Sequence, residues 1–285
     1  MLIVQPMGGL ANRIRVLAYA IKVAQECNSK LTCFWSVDSD LHAPFNTLFY
    51  PADFPIQNVY GRQWQLRKSR KWYKNIPAYI WLKLHHVDVW LSYDHVNSAL
   101  KGDSDVERDA LRGKIVSALN AGKNVYLATG EYLGAYTNIS FITPLDFIMQ
   151  KVNETLALFT QQHSRGLHIR RTDNTWAIEH SPIELFEKKI EEIITADSLA
   201  KFYLATDDNE TANYLCAKYG DRIVYRLKEL SRTTERGMQE AVIDMWILGN
   251  MSEIYGSYWS SFSEVASWIN NKPLYCISDA NKTNS

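Results

Sequence analysis

The chain has 285 residues, 46% of them hydrophobic, with 31 basic and 31 acidic side chains. That length and composition require a proper core, suit two domains and exclude a disordered chain. Balanced charge argues against a general nucleic-acid binder, and four cysteines without a C-x-x-C pair argue against a disulfide framework or zinc site, fitting a reducing compartment.

Leu2–Gln5 predicts a first strand, not a signal peptide, and no apolar run reaches the ~18 residues of a membrane span. The expectation is a soluble, cytoplasmic chain. Pro6–Leu10 is a turn holding Gly8 and Gly9, and Ile14, Leu17, Ala18 and Ile21 mark one face of a helix to about Glu26. Leu31–Trp35 is the next strand. Glycines at a strand-to-helix turn let backbone N–H groups meet an anion, although Asn12 could simply cap the helix.

From Arg62 to Lys74 six basic residues interleave with Trp64, Trp72 and Tyr73 without one acidic residue, and Tyr79, Trp81 and Lys83 extend the run. This stretch reads as a solvated helical insertion; the sharper alternative is contact with an anionic membrane through residues 62–83. Residues 94–113 read as a loop entering a helix, and Asn124–Thr129 as a strand. Thr143-Pro144 opens a helix through Phe159, with Thr143 as its cap.

The polar link Gln161–Arg165 sets the expected boundary between domains 1–160 and 161–285. Beyond it strand and helix alternate. Residues 166–171 form a strand, and Ser181-Pro182-Ile183-Glu184 opens a helix as a capping box. Lys201–Thr206 is a strand, Asn209–Tyr219 a helix stopped at Gly220, and Ile223–Arg226 a strand. A helix over 237–250, a strand at 253–256, a helix at 261–270 and a strand at Leu274–Ile277 complete the chain. Such alternation means parallel sheets with helices on both faces.

Four clusters carry candidate chemistry. Gly8-Gly9-Leu10-Ala11-Asn12-Arg13 lacks both the P-loop ending and the G-x-G-x-x-G of a dinucleotide fold, which makes a nicotinamide oxidoreductase a poor reading. His168-Ile169-Arg170-Arg171-Thr172-Asp173 aims two guanidinium groups from a strand end, suited to carboxylate or phosphate. Tyr203–Thr206 runs into Asp207 and Asp208, where Asp208 reads as a helix cap. Asp244 is the lone charge in A-V-I-D-M-W-I-L and needs a partner. It is followed by Ser260-Ser261-Phe262-Ser263-Glu264, where Ser261 and Glu264 fit a capping box that could still hold a phosphate.

In this order the clusters resemble the GDP-fucose-dependent fucosyltransferases of the α-1,6-, α-1,2- and protein O-fucosyltransferase type. The family pattern is G-G-L-G-N-R/Q, H-x-R-R-x-D, a strand ending T/S-D-D, and D-(x)n-S-S-F/Q. Here these read GGLANR, HIRRTD, LATDD and Asp244 followed by SSFS. The threonine of R-R-T-D and the stretch W-S-V-D-S-D-L-H-A-P-F-N-T-L-F look like the bacterial α-1,6-like branch, whereas Ala11 replaces the usual glycine and residues 61–113 have no counterpart.

The resemblance implies a GT-B-like α/β fold, two Rossmann-like domains with parallel sheets facing across a cleft. The first would take the acceptor, carrying an insertion at about 60–113, and the second the GDP-sugar. It implies inverting transfer of fucose from GDP-fucose to a glycan hydroxyl, in polysaccharide biosynthesis, without a metal or a further cofactor. Asp38-Ser39-Asp40 is the one D-x-D match and lies on the acceptor side. Arg170 matches the family's essential arginine and would stabilise charge on the departing diphosphate. Gly8, Gly9, Asn12, Arg13, His168, Arg171, Asp173, Asp207, Asp244, Ser260 and Ser261 would hold the GDP-sugar, with Asp244 taking guanine. Glu179 is the best-placed general base. Transfer of another GDP-sugar, or binding without catalysis, remain open alternatives.

Overall fold

A computed structural model describes residues 1–60, 72–102, 104–134 and 136–279. The chain divides into two units, one of residues 1–143 with 232–238, the other of residues 144–231 with 239–285. The sequence-based boundary at 160 and this division at 143 lie on either side of one helix, Asp146–Leu156.

The first unit is built from β1 (Leu2–Pro6), α1 (Leu10–Glu26), β2 (Leu31–Val37), β3 (Ile56–Tyr60), α2 (Ile76–Leu84), β4 (Val89–Leu91), α3 (Tyr93–Ala99), α4 (Asp105–Asn120) and β5 (Val125–Thr129). Its sheet is parallel, in the order β3-β2-β1-β5-β4, with Leu2 level with both Leu31 and Val125. All five residues of β1 are buried, the signature of a central strand covered on both faces.

Two expectations for this unit change. Residues 94–113 hold two helices, and α4 starts from a capping box in which Ser104 accepts from the Glu107 N–H while the Glu107 carboxylate takes the Ser104 N–H. The 60–113 stretch is also no mere surface insertion: β4 joins the sheet, and Ala78 and Leu82 of α2 pack on Ile3, Tyr126 and Ala128. Of the basic and aromatic run, residues 61–71 lie outside the described residues. Among the described residues no helix is long and apolar enough to cross a membrane.

The second unit follows as α5 (Asp146–Leu156), β6 (Ser164–Ile169), α6 (Thr175–His180), α7 (Ile183–Ala196), β7 (Lys201–Thr206), α8 (Asn209–Tyr219), β8 (Ile223–Val224), α9 (Glu235–Asn250), β9 (Glu253–Ser257), α10 (Ser261–Trp268) and β10 (Leu274–Ile277). Its parallel sheet runs β10-β9-β6-β7-β8, so the chain winds outward in both directions from β6. Leu167 and Ile169 share one core with Phe202, Leu204, Phe186, Ile190, Ala212 and Leu215. Strand alternation then turns His168 to the opposite face.

On that face α10 comes close to β9. A Cβ added at Gly256 would stand 2.7 Å from the Ser263 Cβ, nearer than side chains approach, so only glycine admits the helix there. Asp208 caps α8, its carboxylate accepting from Glu210 N–H and Thr211 N–H at 3.4 and 2.8 Å, and Gly220 ends that helix at φ +57°.

The other predicted caps differ. α5 begins after Leu145 and α7 after Pro182, each without a side-chain cap. The Ser181 hydroxyl is buried and engaged elsewhere, donating to Ile277 O at 2.6 Å and accepting from Tyr258 N–H at 2.7 Å. Capping boxes are local patterns, and here long-range backbone partners outcompete them.

Candidate functional site

In a doubly wound sheet, ligands bind beyond the carboxyl ends of the strands, at the point where strand order reverses. In the second unit that point lies between β6 and β9. β6 ends at Ile169, so Arg170 is the first residue beyond the sheet, and its N–H donates to the Ser257 hydroxyl at the end of β9 at 3.0 Å. Its guanidinium pairs with Asp207 through Nε at 3.1 Å and with Asp173 through Nη2, which leaves Nη1 outside both ion pairs. The side chain keeps 16% of its surface in solvent. This is a cation oriented by two carboxylates and still open on one side.

Asp207 organises the turn that carries it. Its carboxylate takes the Arg171 N–H at 2.7 Å, the Thr172 N–H at 3.4 Å and the Thr172 hydroxyl at 2.6 Å, besides Arg170. It holds the loop and has little left to offer a ligand. Arg171 points away, its Nη2 donating to Ser181 O at 2.7 Å, and burial lowers its pKa, offset by Glu184, Asp207 and Asp208.

His168 lies one residue inside the strand, buried and stacked on Phe262 of α10 at 4.8 Å. Its Nδ1 faces the Ser260 hydroxyl at 3.4 Å. Burial, followed by the repulsion of Arg170, pushes its pKa down to about 3, so the ring is neutral. Ser260 is the residue before α10, and its hydroxyl does not cap the helix. A Ser261–Glu264 capping box would put Ser261 in the cap position, whereas the helix starts at Ser261 with Ser260 before it.

Asp244 stands on α9 (Glu235–Asn250). It is buried, as expected, but the protein supplies its partners. Tyr203 donates its hydroxyl at 2.6 Å, Lys228 approaches at 2.7 Å and Arg226 at 3.6 Å. Burial and the adjacent Asp244 raise the Tyr203 pKa well above its usual value, which keeps that hydroxyl a donor. Asp244 is thus already paired within the framework, and guanine is not needed to satisfy it. Glu179 is exposed on α6, a short helix capped by Asn174, whose carboxamide accepts the Ala177 N–H at 3.1 Å.

The first unit has its own reversal point, between β1 and β5, and Gly8 and Gly9 stand there. Gly8 adopts φ +76° and Gly9 precedes α1 without a side-chain cap. Asn12 sits inside the first turn, its carboxamide oxygen accepting from Arg15 at 2.8 Å, so it does not cap the helix. Arg13 is fully buried: Nε donates to Gly8 O at 2.7 Å, Nη1 to Ser36 O, and Nη2 pairs with Asp38 at 2.9 Å. Burial lowers its pKa and Asp38 opposes that. Arg13 therefore braces the glycine turn and offers nothing to a ligand. Asp38 also accepts the Asp40 and Leu41 N–H groups, so the D-x-D match is a structural turn. Among the described residues no three His, Cys, Asp or Glu side chains could jointly hold a metal ion.

Lys228, Ser257 and Ser181 were not foreseen as parts of the site. Ser257 was signalled by its place at a strand's carboxyl end; Lys228, in a stretch without periodicity, carried no signal.

No protein-family model matches the chain, and no curated protein matches its sequence. Solved structures do match. NodZ α-1,6-fucosyltransferase soaked with GDP-fucose is 17% identical at a TM-score of 0.63, covering 94% of this chain and 92% of that one; NodZ from Bradyrhizobium is also 17% identical, at 0.59. POFUT1 in complex with GDP is 12% identical at 0.56, covering 97% and 98%. A mutant of Arabidopsis thaliana FUT1 in complex with GDP is 12% identical at 0.59, covering 99% of this chain and 70% of that one. At these identities the likeness establishes the fold: the chain has the two-sheet, GT-B-like α/β architecture of GDP-fucose fucosyltransferases.

Proposed function

We propose that the chain is an inverting, metal-independent fucosyltransferase that moves fucose from GDP-fucose to a hydroxyl of a glycan acceptor. The observation that carries this reading is Arg170, partly exposed at the reversal point of the second sheet, in a fold shared with proteins solved with GDP-fucose or GDP. The second unit would take the donor.

Departure of GDP concentrates negative charge on the β-phosphate. A cation fixed before the reaction stabilises that charge more in the transition state than in the ground state. Asp173 and Asp207 fix the Arg170 fork, and Nη1 is the donor left for the leaving group. The uncapped N–H groups at the start of α10, with Ser260 and Ser261, would bind the same diphosphate. Neutral His168 can donate to or accept from the nucleotide without adding charge. Asp207 and Asp244 serve as framework in this scheme. Glu179 is assigned as the base that takes the acceptor's proton.

Incubating the protein with GDP-fucose and a pooled glycan library in EDTA, followed by NMR, tests the reading. GDP should appear together with a fucosylated product of inverted anomeric configuration. Retained configuration, or no GDP release, would refute inverting transfer; tight GDP binding without release would favour a non-catalytic binding protein.

A further inference from the structure

Two tryptophans beside Arg170 have no part in the scheme above. Trp176 lies on α6, three residues after Asp173, and is 60% exposed; Trp259 joins β9 to α10 immediately before Ser260 and is 66% exposed. A lone exposed ring is ordinary on a protein surface, but these two are joined through His180 and Tyr258 into one aromatic patch, the feature that marks an interaction site. Trp259 also holds φ at +52°, a left-handed backbone that costs a bulky residue energy and that clusters at functional sites.

The backbone around both rings is firmly held. The Asn174 carboxamide donates to Trp259 O at 3.1 Å, tying the loop after β6 to the loop after β9. His180 stacks on Trp176 at 5.5 Å and meets Tyr258 edge-on at 5.2 Å, while Tyr258 lies 5.9 Å from Trp259. Buried Ser181 and the Asp279 N–H bonded to His180 O anchor the cluster from below. Polar groups line its edge: Asn174, Asp279 and, at helical spacing from Trp176, Glu179.

We propose that Trp176 and Trp259 form a stacking platform for a pyranose ring of the glycan acceptor, an inference that rests on the functional reading above. A pyranose has one face of weakly positive C–H groups, which suits the negative face of an indole, and hydroxyls around its edge, which suit carboxamide and carboxylate. A protein partner would call for a wider apolar area than two rings within a polar rim. Continuity with the cluster around Arg170, through Asp173 on one side and Ser260 on the other, favours an acceptor over an unrelated glycan.

Saturation-transfer NMR on the full chain tests this directly, with neutral tetrasaccharides of glucose, N-acetylglucosamine, galactose and mannose as probes. At least one should receive magnetisation on its ring C–H protons. Trp176→Ala and Trp259→Gly should each weaken that binding about tenfold, as loss of one aromatic contact implies. Glycine suits the left-handed backbone at 259, so that variant should fold at least as well as the parent. Calorimetric GDP affinity should stay unchanged in both variants, and it reads the functional proposal separately. Absence of transfer to every tetrasaccharide, or transfer undiminished in the double variant, would overturn the platform even if GDP binds.

Discussion

Each unit presents an arginine near the reversal point of a parallel sheet, and the two arginines are used in opposite ways. Arg13 is fully buried, with Gly8 O, Ser36 O and Asp38 around its guanidinium. Arg170 is held by Asp173 and Asp207 from one side and keeps Nη1 clear of both. Both stand in G-G-x-x-N-R and H-x-R-R-x-D patterns that look equally suited to a phosphate. What separates them is the supply of acceptors: a guanidinium whose donors meet acceptors on every side is framework, and one fixed by part of its fork can receive a ligand.

The largest test of that contrast is Arg13→Ala. Removing one partner of a buried ion pair leaves Asp38 buried and uncompensated, and urea unfolding should reveal a loss of about 3–5 kcal/mol. Full stability with weakened GDP binding would place Arg13 among ligand contacts and dissolve the comparison. Arg170→Lys should do the reverse. Turnover should fall about 100-fold or more, roughly 3 kcal/mol of barrier, because a lysine cannot reproduce the fork. Its unfolding midpoint should barely move, since the side chain is partly exposed. Near-normal turnover would make Arg170 framework too.

Gly256→Ala sharpens the description of the second unit. The added methyl would press on Ser263 and push α10, with Ser260, away from β9, at a cost of about 1–3 kcal/mol. Calorimetric melting that matches the parent protein would show that α10 is not seated so tightly.

A last test concerns pH. His168 titrates near 3 in the folded chain and near 6.5 when unfolded, so between those values the unfolded chain binds the extra proton. Its contribution is complete above pH 6.5 and falls as the pH drops, by up to about 1.4 kcal/mol per pH unit. Unfolding free energies measured from pH 7 to 4 should show this slope, reduced in His168→Gln. An equal slope in the variant would assign the acid sensitivity to other groups.

Much of this molecule was legible in its sequence. Hydrophobic alternation located β1, β2, β5, β6, β7 and β9 within a few residues, because central strands of a parallel sheet are short apolar runs between turns. Asp208 was legible as a cap because its partners lie two and three residues on. The three-residue edge strand β4 was hidden in V-D-V-W-L, too short for a period. The partners of Arg13 and Asp244 were hidden for another reason. Asp38 and Lys228 stand 25 residues after Arg13 and 16 residues before Asp244, and only the folded chain pairs them. The error over Ser181 had the same origin, since its partners Tyr258 and Ile277 lie just after β9 and at the end of β10, far along the chain.

The central claim, that the second unit's reversal point is a GDP site centred on Arg170, is tested most directly by calorimetric titration of GDP in excess EDTA. The account predicts saturable binding to the parent protein and to folded Asn12→Ala, and loss of most of that affinity in Arg170→Ala. Binding that needs added Mg²⁺, or that survives unchanged in Arg170→Ala, would contradict it.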